Sequence, residues 1–166
     1  VEDGISFEEN ALIKAKSAAE LSGIVALSDD SGIEVEALDK RPGIYSARWA
    51  GPDKNFVFAM SEINRMLDEL GAVSEEKRRA CFVCALCLYY PSGKHEFFVG
   101  KIDGKIVWPP RGKYGFGYDA IFLPDGLNKT FGELTSSEKH SWAIDKVGLS
   151  HRAIAFSKFA KFLTKK

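Results

Sequence analysis

The stretch from Ala80 to Tyr90 runs for eleven residues without a charge or a glycine. A run that apolar reads as a strand buried on both faces, and the rest of the chain must fold to cover it. It falls far short of the roughly 20 apolar residues that cross a bilayer, so no membrane partner is expected. Cys81, Cys84 and Cys87 punctuate it at intervals of three. That spacing occurs at metal and iron–sulfur sites. Here no fourth cysteine and no bending glycine accompany it, and an extended chain sends Cys81 and Cys87 to one face and Cys84 to the other. The three therefore read as packed, reduced thiols. An odd cysteine count with no export signal points to the cytoplasm.

The other elements follow from periodicity and punctuation. Ser6-Phe7-Glu8-Glu9 is a capping box opening an alanine-rich helix that Gly23 stops. Ile24–Ser28 reads as a buried strand, Asp29-Asp30-Ser31-Gly32 as an interruption, and Ile33–Ala37 as the next strand. Phe56, Ala59, Met60, Ile63, Leu67 and Leu70 form one helical stripe. Two strands flank Pro91-Ser92-Gly93-Lys94, and Asp103-Gly104 predicts a tight turn before Ile106-Val107-Trp108. Ile121-Phe122-Leu123 is a short strand, and Thr130–Glu133 is a second capping box. The last helix starts near Ser150 and is expected to bury Phe156, Phe159, Ala160 and Leu163. Helices interleaved with hairpins argue for one α/β domain on a mixed sheet, spanning residues 1–166. With 23 basic and 23 acidic residues the chain carries no net charge, hence no global field to hold a polyanion, and no nucleic-acid partner is expected.

Four segments could carry chemistry. Asp29-Asp30-Ser31-Gly32, read as following an apolar strand, would lie where α/β proteins bind ligands, and paired carboxylates suit Mg²⁺ with substrate phosphates; the same residues also make ordinary turns. Glu9 is explained by capping alone but remains a candidate carboxylate. Gly112–Asp119 sets glycines among aromatics, which admits a planar ligand or simply closes a hairpin. Ser150-His151-Arg152 starts a helix, where amides and basic side chains suit an anion, or the carbonyls of a purine edge, or nothing beyond a capped surface helix.

Taken in order, seven segments carry a resemblance: Ser6–Ala11, Asp29–Gly32, Pro42–Arg48, Pro110–Gly112, Gly115–Asp119, Lys129–Leu134 and Ser150–Arg152. Together they resemble the inosine-triphosphate pyrophosphatase family, which removes non-standard purine nucleoside triphosphates. The resemblance implies two α/β lobes on a long mixed sheet around a central cleft, a homodimer, and Mg²⁺-dependent hydrolysis of ITP, dITP or XTP to monophosphate and pyrophosphate. It implies that Glu9 and Asp30 hold Mg²⁺, that Asp30 accepts the proton of the attacking water and that Ser31 touches substrate. Phe116, Gly117, Tyr118 and Asp119 would line the base pocket, with His151 and Arg152 contacting the base.

The match has three departures, the slightest being Ala120 where the family usually has proline. The family opens with a strand and a Thr/Ser-x-Asn-x-x-Lys phosphate loop absent from this chain; Val-Glu-Asp-Gly reads as the middle of a loop, so an upstream piece is expected. The family also has one pocket lysine, nine residues after the Thr of Thr-Phe and five before the His. Here Lys139 meets the first spacing and Lys146 the second, with about seven extra residues between the anchors. Two alternatives stand beside the main expectation: a related pyrophosphatase for modified pyrimidine nucleotides, and a non-catalytic nucleotide-binding remnant.

Overall fold

The structure is a computed structural model that describes residues 3–140 and 148–165. Helix α1 (Phe7–Ser22) starts where Ser6 Oγ accepts the Glu9 amide at 3.1 Å and ends at Gly23, whose φ of 71° the helix stop requires. Strand β1 (Ala26–Val35) follows. Pro42 leads into a 3-10 turn, Gly43–Tyr45, and the single-turn helix α2 (Ser46–Trp49). Helix α3 (Phe56–Glu69) buries Ala59, Met60, Ile63 and Leu67 as its stripe predicts. Strands β2 (Arg79–Tyr89), β3 (His95–Ile106) and β4 (Phe122–Pro124) complete the sheet. The short helix α4 (Ser136–His140) and the long α5 (His151–Thr164) end the described chain. Thr130 and Glu133 form the expected capping box on a 3-10 turn. No helix among the described residues is long and apolar enough to cross a membrane.

The sheet runs β1-β2-β3-β4. The α/β architecture is as expected, but every described pairing is antiparallel, so the mixed pairing expected of the sheet is not found among these strands. As anticipated, β2 is the buried centre. Its Val83, Ala85 and Cys87 pack under Ala11, Ala15 and Ala19 of α1, while Cys84, Leu86 and Leu88 pack with Phe98 and Ala155 of α5 on the other face. The cysteines divide between the faces as the pleat demands and all three are free. Burial pushes the Cys87 thiol up to about 11, and burial together with Asp103 pushes Cys81 up to about 12. A third cluster, built from α3, Ile33, Phe82, Phe122 and Phe131, forms a second lobe at the end of the sheet.

Three expectations are corrected. Asp29-Asp30-Ser31-Gly32 does not interrupt two strands; it lies inside β1, paired residue by residue from Ala26↔Tyr89 to Val35↔Ala80. The unbroken apolar partner strand overrides the turn preference of those four residues. Likewise β3 continues through Asp103-Gly104, where Gly104 pairs with Ala80 and with Pro124, and a side chain would strike Leu123 O. Third, α5 buries Ala153, Ala155 and Ser157, leaving Phe156 and Leu163 40% and 49% exposed. The helix lies so close to β3 that a Cβ on Gly100 would collide with His151 O and Ala155 N. Only small residues fit that contact, so Phe156 and Leu163 turn outward while Phe159 packs against Phe98 beside it.

Candidate functional site

Strand β1 forms the edge of the described sheet, and its side chains alternate. Asp30 pairs with Ala85 and points to the α1 face; Asp29 and Ser31 pair with Leu86 and Cys84 and point to the α5 face. The adjacent carboxylates therefore meet different partners. Lys14 Nζ donates to Asp30 Oδ1 at 2.8 Å, and Asn10 Nδ2 reaches Asp30 Oδ2 at 3.4 Å. Across the strand, Arg152 Nη2 donates to Asp29 Oδ2 at 2.7 Å, and Ser31 Oγ donates to the same oxygen at 3.3 Å. Burial opposes the Arg152 charge, but Asp29 outweighs it and holds the guanidinium above its ordinary range.

These groups open into one cleft of about 270 Å³ between the lobes, whose walls include Lys14, Asp30, Ser31, Phe116, Asp119 and Arg152. The loop across from β1 is shaped by Asp119, whose Oδ2 accepts the Phe116 amide at 3.2 Å and Lys139 Nζ at 2.8 Å. Gly115, at φ 77°, lets the loop close over that carboxylate, which an added Cβ would strike. Phe116 is left 72% exposed, an apolar face at the cleft mouth. Gly117 also lines the cleft. Tyr118 is buried; its hydroxyl donates to Ser46 O at 2.8 Å, its ring meets Phe56 edge-on, and burial raises its pKa. It ties the loop to the first residue of α2.

The α5 start supplies the last wall. Ser150 Oγ accepts the Ala153 amide at 3.1 Å. The His151 ring stacks on Phe82 with centroids 4.7 Å apart and 9° between planes. Burial, then the Arg152 charge, lowers the His151 pKa to about 3, so the imidazole is neutral near pH 7. Its Nδ1 is buried without a hydrogen-bond partner among the described residues.

The cleft thus gathers Asp30, Ser31, Phe116, Gly117, Tyr118, Asp119, His151 and Arg152, with Lys139 behind Asp119. Lys146 lies outside the described residues. Ser150 N donates to Lys139 O at 3.1 Å, and among the described residues it is Lys139 that reaches the loop. Glu9 stands apart: it is exposed on the first turn of α1, and its Oε2 accepts the Ile5 amide at 2.8 Å. It neighbours Asn10, which touches Asp30. Among the described residues no three His, Cys, Asp or Glu side chains cluster tightly enough to hold a metal ion by themselves. Lys14 was missed by sequence reasoning. Its signal is the Asn10-x-x-x-Lys14 spacing, which puts both side chains on one helix face. A second groove, about 490 Å³ along α5 beside Phe156 and Leu163, is apolar and contains none of these carboxylates.

The profile of the Ham1 family matches residues 1–162. The chain belongs to the Ham1 family. It is 52% identical over 164 residues to the dITP/XTP pyrophosphatase of Brucella melitensis and 56% identical over 160 residues to that of Bradyrhizobium sp., covering 96% of this chain and 74% and 75% of those proteins. The Ham1 protein of Coxiella burnetii superposes with a TM-score of 0.87 at 35% identity, covering 100% of this chain and 80% of that one. The Ham1 protein of Staphylococcus aureus gives 0.86 at 37% identity, with 99% and 80% covered. The family resemblance carried by the ordered motifs is therefore borne out, and so is the Ham1 fold.

Proposed function

We propose that this Ham1-family hydrolase, a nucleoside-triphosphate pyrophosphatase, acts on non-standard purine nucleoside triphosphates (ITP, dITP and XTP) and releases the monophosphate and pyrophosphate. One observation carries the substrate class. A neutral, half-buried His151 whose buried Nδ1 has no hydrogen-bond partner among the described residues stands beside Arg152 in a cleft whose other wall is a carboxylate and an ammonium. The first pair suits an uncharged purine edge bearing carbonyl oxygens; the second suits phosphates and water.

In this mechanism Asp30 accepts a proton from the water that attacks the α-phosphorus, and pyrophosphate leaves. Lys14 offsets charge accumulating on the phosphates. Glu9 and Asp30 offer the hard oxygen donors Mg²⁺ prefers, and two carboxylates with waters and substrate phosphates make an ordinary Mg²⁺ site. The donor set fits in kind, as a pair of carboxylates, with Asp30 inside the cleft and Glu9 on the first turn of α1. When bound, Mg²⁺ would neutralise phosphate charge. Phe116 offers its exposed ring to the base, and Asp119 fixes the loop that carries it. A 6-amino purine would leave donors of Arg152 unpaired, a mismatch that discriminates strongly in a buried site. Family and composition together favour a cytoplasmic homodimer.

The test is pyrophosphate release from ITP, XTP, GTP and ATP by full-length protein, with Mg²⁺ and with chelator. The expected result is Mg²⁺-dependent turnover of ITP and XTP well above ATP. Equal turnover of all four would overturn the base-edge argument.

A further inference from the structure

We infer that Asp29, the carboxylate the mechanism does not use, is a positioning residue that makes Arg152 a reader of neutral carbonyls rather than a binder of phosphate. This rests on the purine pyrophosphatase reading above. A free guanidinium in a cleft that admits a triphosphate would be an anion trap, because arginine binds phosphate in a strong two-pronged contact. Asp29 prevents this in two ways. Its Oδ2 accepts a hydrogen bond from Arg152 Nη2 at 2.7 Å and supplies the opposing charge, leaving a nearly neutral pair whose remaining N–H groups suit an uncharged acceptor. It also fixes the direction of the guanidinium, which would otherwise have to be ordered on binding.

The fold makes Asp29 specific to this task. The pleat of β1 separates it from Asp30 and turns it, with Ser31, toward α5. Ser31 Oγ donates to the same Oδ2 at 3.3 Å. Cys84 pairs with Ser31 across the sheet on this same face. The close approach of α5 at Gly100 holds the helix carrying Arg152 at that distance. Two neighbouring carboxylates thus serve opposite ends of one substrate: Asp30 works at the phosphate end, and Asp29 keeps the base end from capturing phosphate.

The experiment compares wild type, Asp29→Asn, Asp29→Glu, Arg152→Ala and the Asp29→Asn/Arg152→Ala double variant, all full-length. Readouts are kcat and KM for ITP, inhibition by inorganic pyrophosphate, calorimetric binding of inosine monophosphate, and Tm. For Asp29→Asn, the KM for ITP should rise about fivefold with kcat within about twofold, while pyrophosphate inhibits about threefold more tightly. Both effects should vanish when Arg152 is alanine, and Asp29→Glu should restore part of the KM. A purely structural role would lower Tm without tightening pyrophosphate. Unchanged KM and unchanged pyrophosphate inhibition, or equal effects with and without Arg152, would overturn the inference. Failure of wild type to hydrolyse any triphosphate sinks the pyrophosphatase reading instead. Inosine monophosphate binding then still decides the role of Asp29, and loss of that binding as well would sink both.

Discussion

The two faces of β1 at Asp29 and Asp30 differ in how their charges are held. On the α1 face, Asp30 is met by Lys14 and Asn10, two side chains one turn apart on a helix fixed by alanine packing. On the α5 face, Asp29 is met by Arg152 from 123 residues away, on a helix fixed by its approach to Gly100. The first arrangement is local and rigid. The second depends on the whole sheet being assembled. Placing adjacent residues of an edge strand in two such settings lets one short motif serve both ends of a cleft, with the pleat keeping the two charges apart.

Breaking the α1 side should have the largest effect. Asp30→Asn keeps shape but removes the base, and kcat should fall by about 10² to 10⁴ with an unchanged thermal midpoint; pyrophosphate release and calorimetry check both. On the α5 side, Gly100→Ala pushes a methyl group into His151 O. It should cost about 1–3 kcal/mol in urea unfolding and weaken nucleotide binding more than turnover, since it shifts His151 and Arg152 but not Asp30. The smallest effect sharpens the contrast through pH. The His151 pKa is lowered to about 3 chiefly by burial, with Arg152 and His140 adding to the shift and Asp29 opposing it. A base whose folded pKa is depressed contributes stability that is fully present above its ordinary value near 6.5. That stability is lost as pH falls toward about 3. Unfolding free energies measured between pH 7 and pH 4 should therefore decline less steeply in His151→Gln than in wild type.

Much of this was legible in the sequence, and the failures share a cause. Helices α1 and α3 announce themselves through capping and a 3.6-residue stripe, which are local signals. The buried centre of the sheet was visible as an uncharged run, and the division of Cys81 and Cys87 from Cys84 followed from the pleat. Tertiary pairing defeated the reading of β1: Asp, Ser and Gly prefer turns in isolation, and only the unbroken β2 holds them extended. The same kind of contact reversed α5, where a glycine on another strand selects the small face of the helix and exposes Phe156. Within the site, Asp30, Ser31, Phe116, Gly117, Tyr118, Asp119, His151 and Arg152 from the ordered motifs line one cleft, and Glu9 does not. Lys14 escaped because a lysine on a helix is ordinarily solvated, and its partner lies 16 residues along the chain. Tyr118 was grouped with the base pocket by motif, yet its hydroxyl is committed to the backbone at Ser46.

The bond from Ser150 N to Lys139 O ties the N-cap of α5 to α4 at a single point. Lys139 also holds Asp119, and His151 follows directly on Ser150. One backbone bond therefore couples the ammonium behind the loop to the start of the helix, and a displacement of either is transmitted to the other.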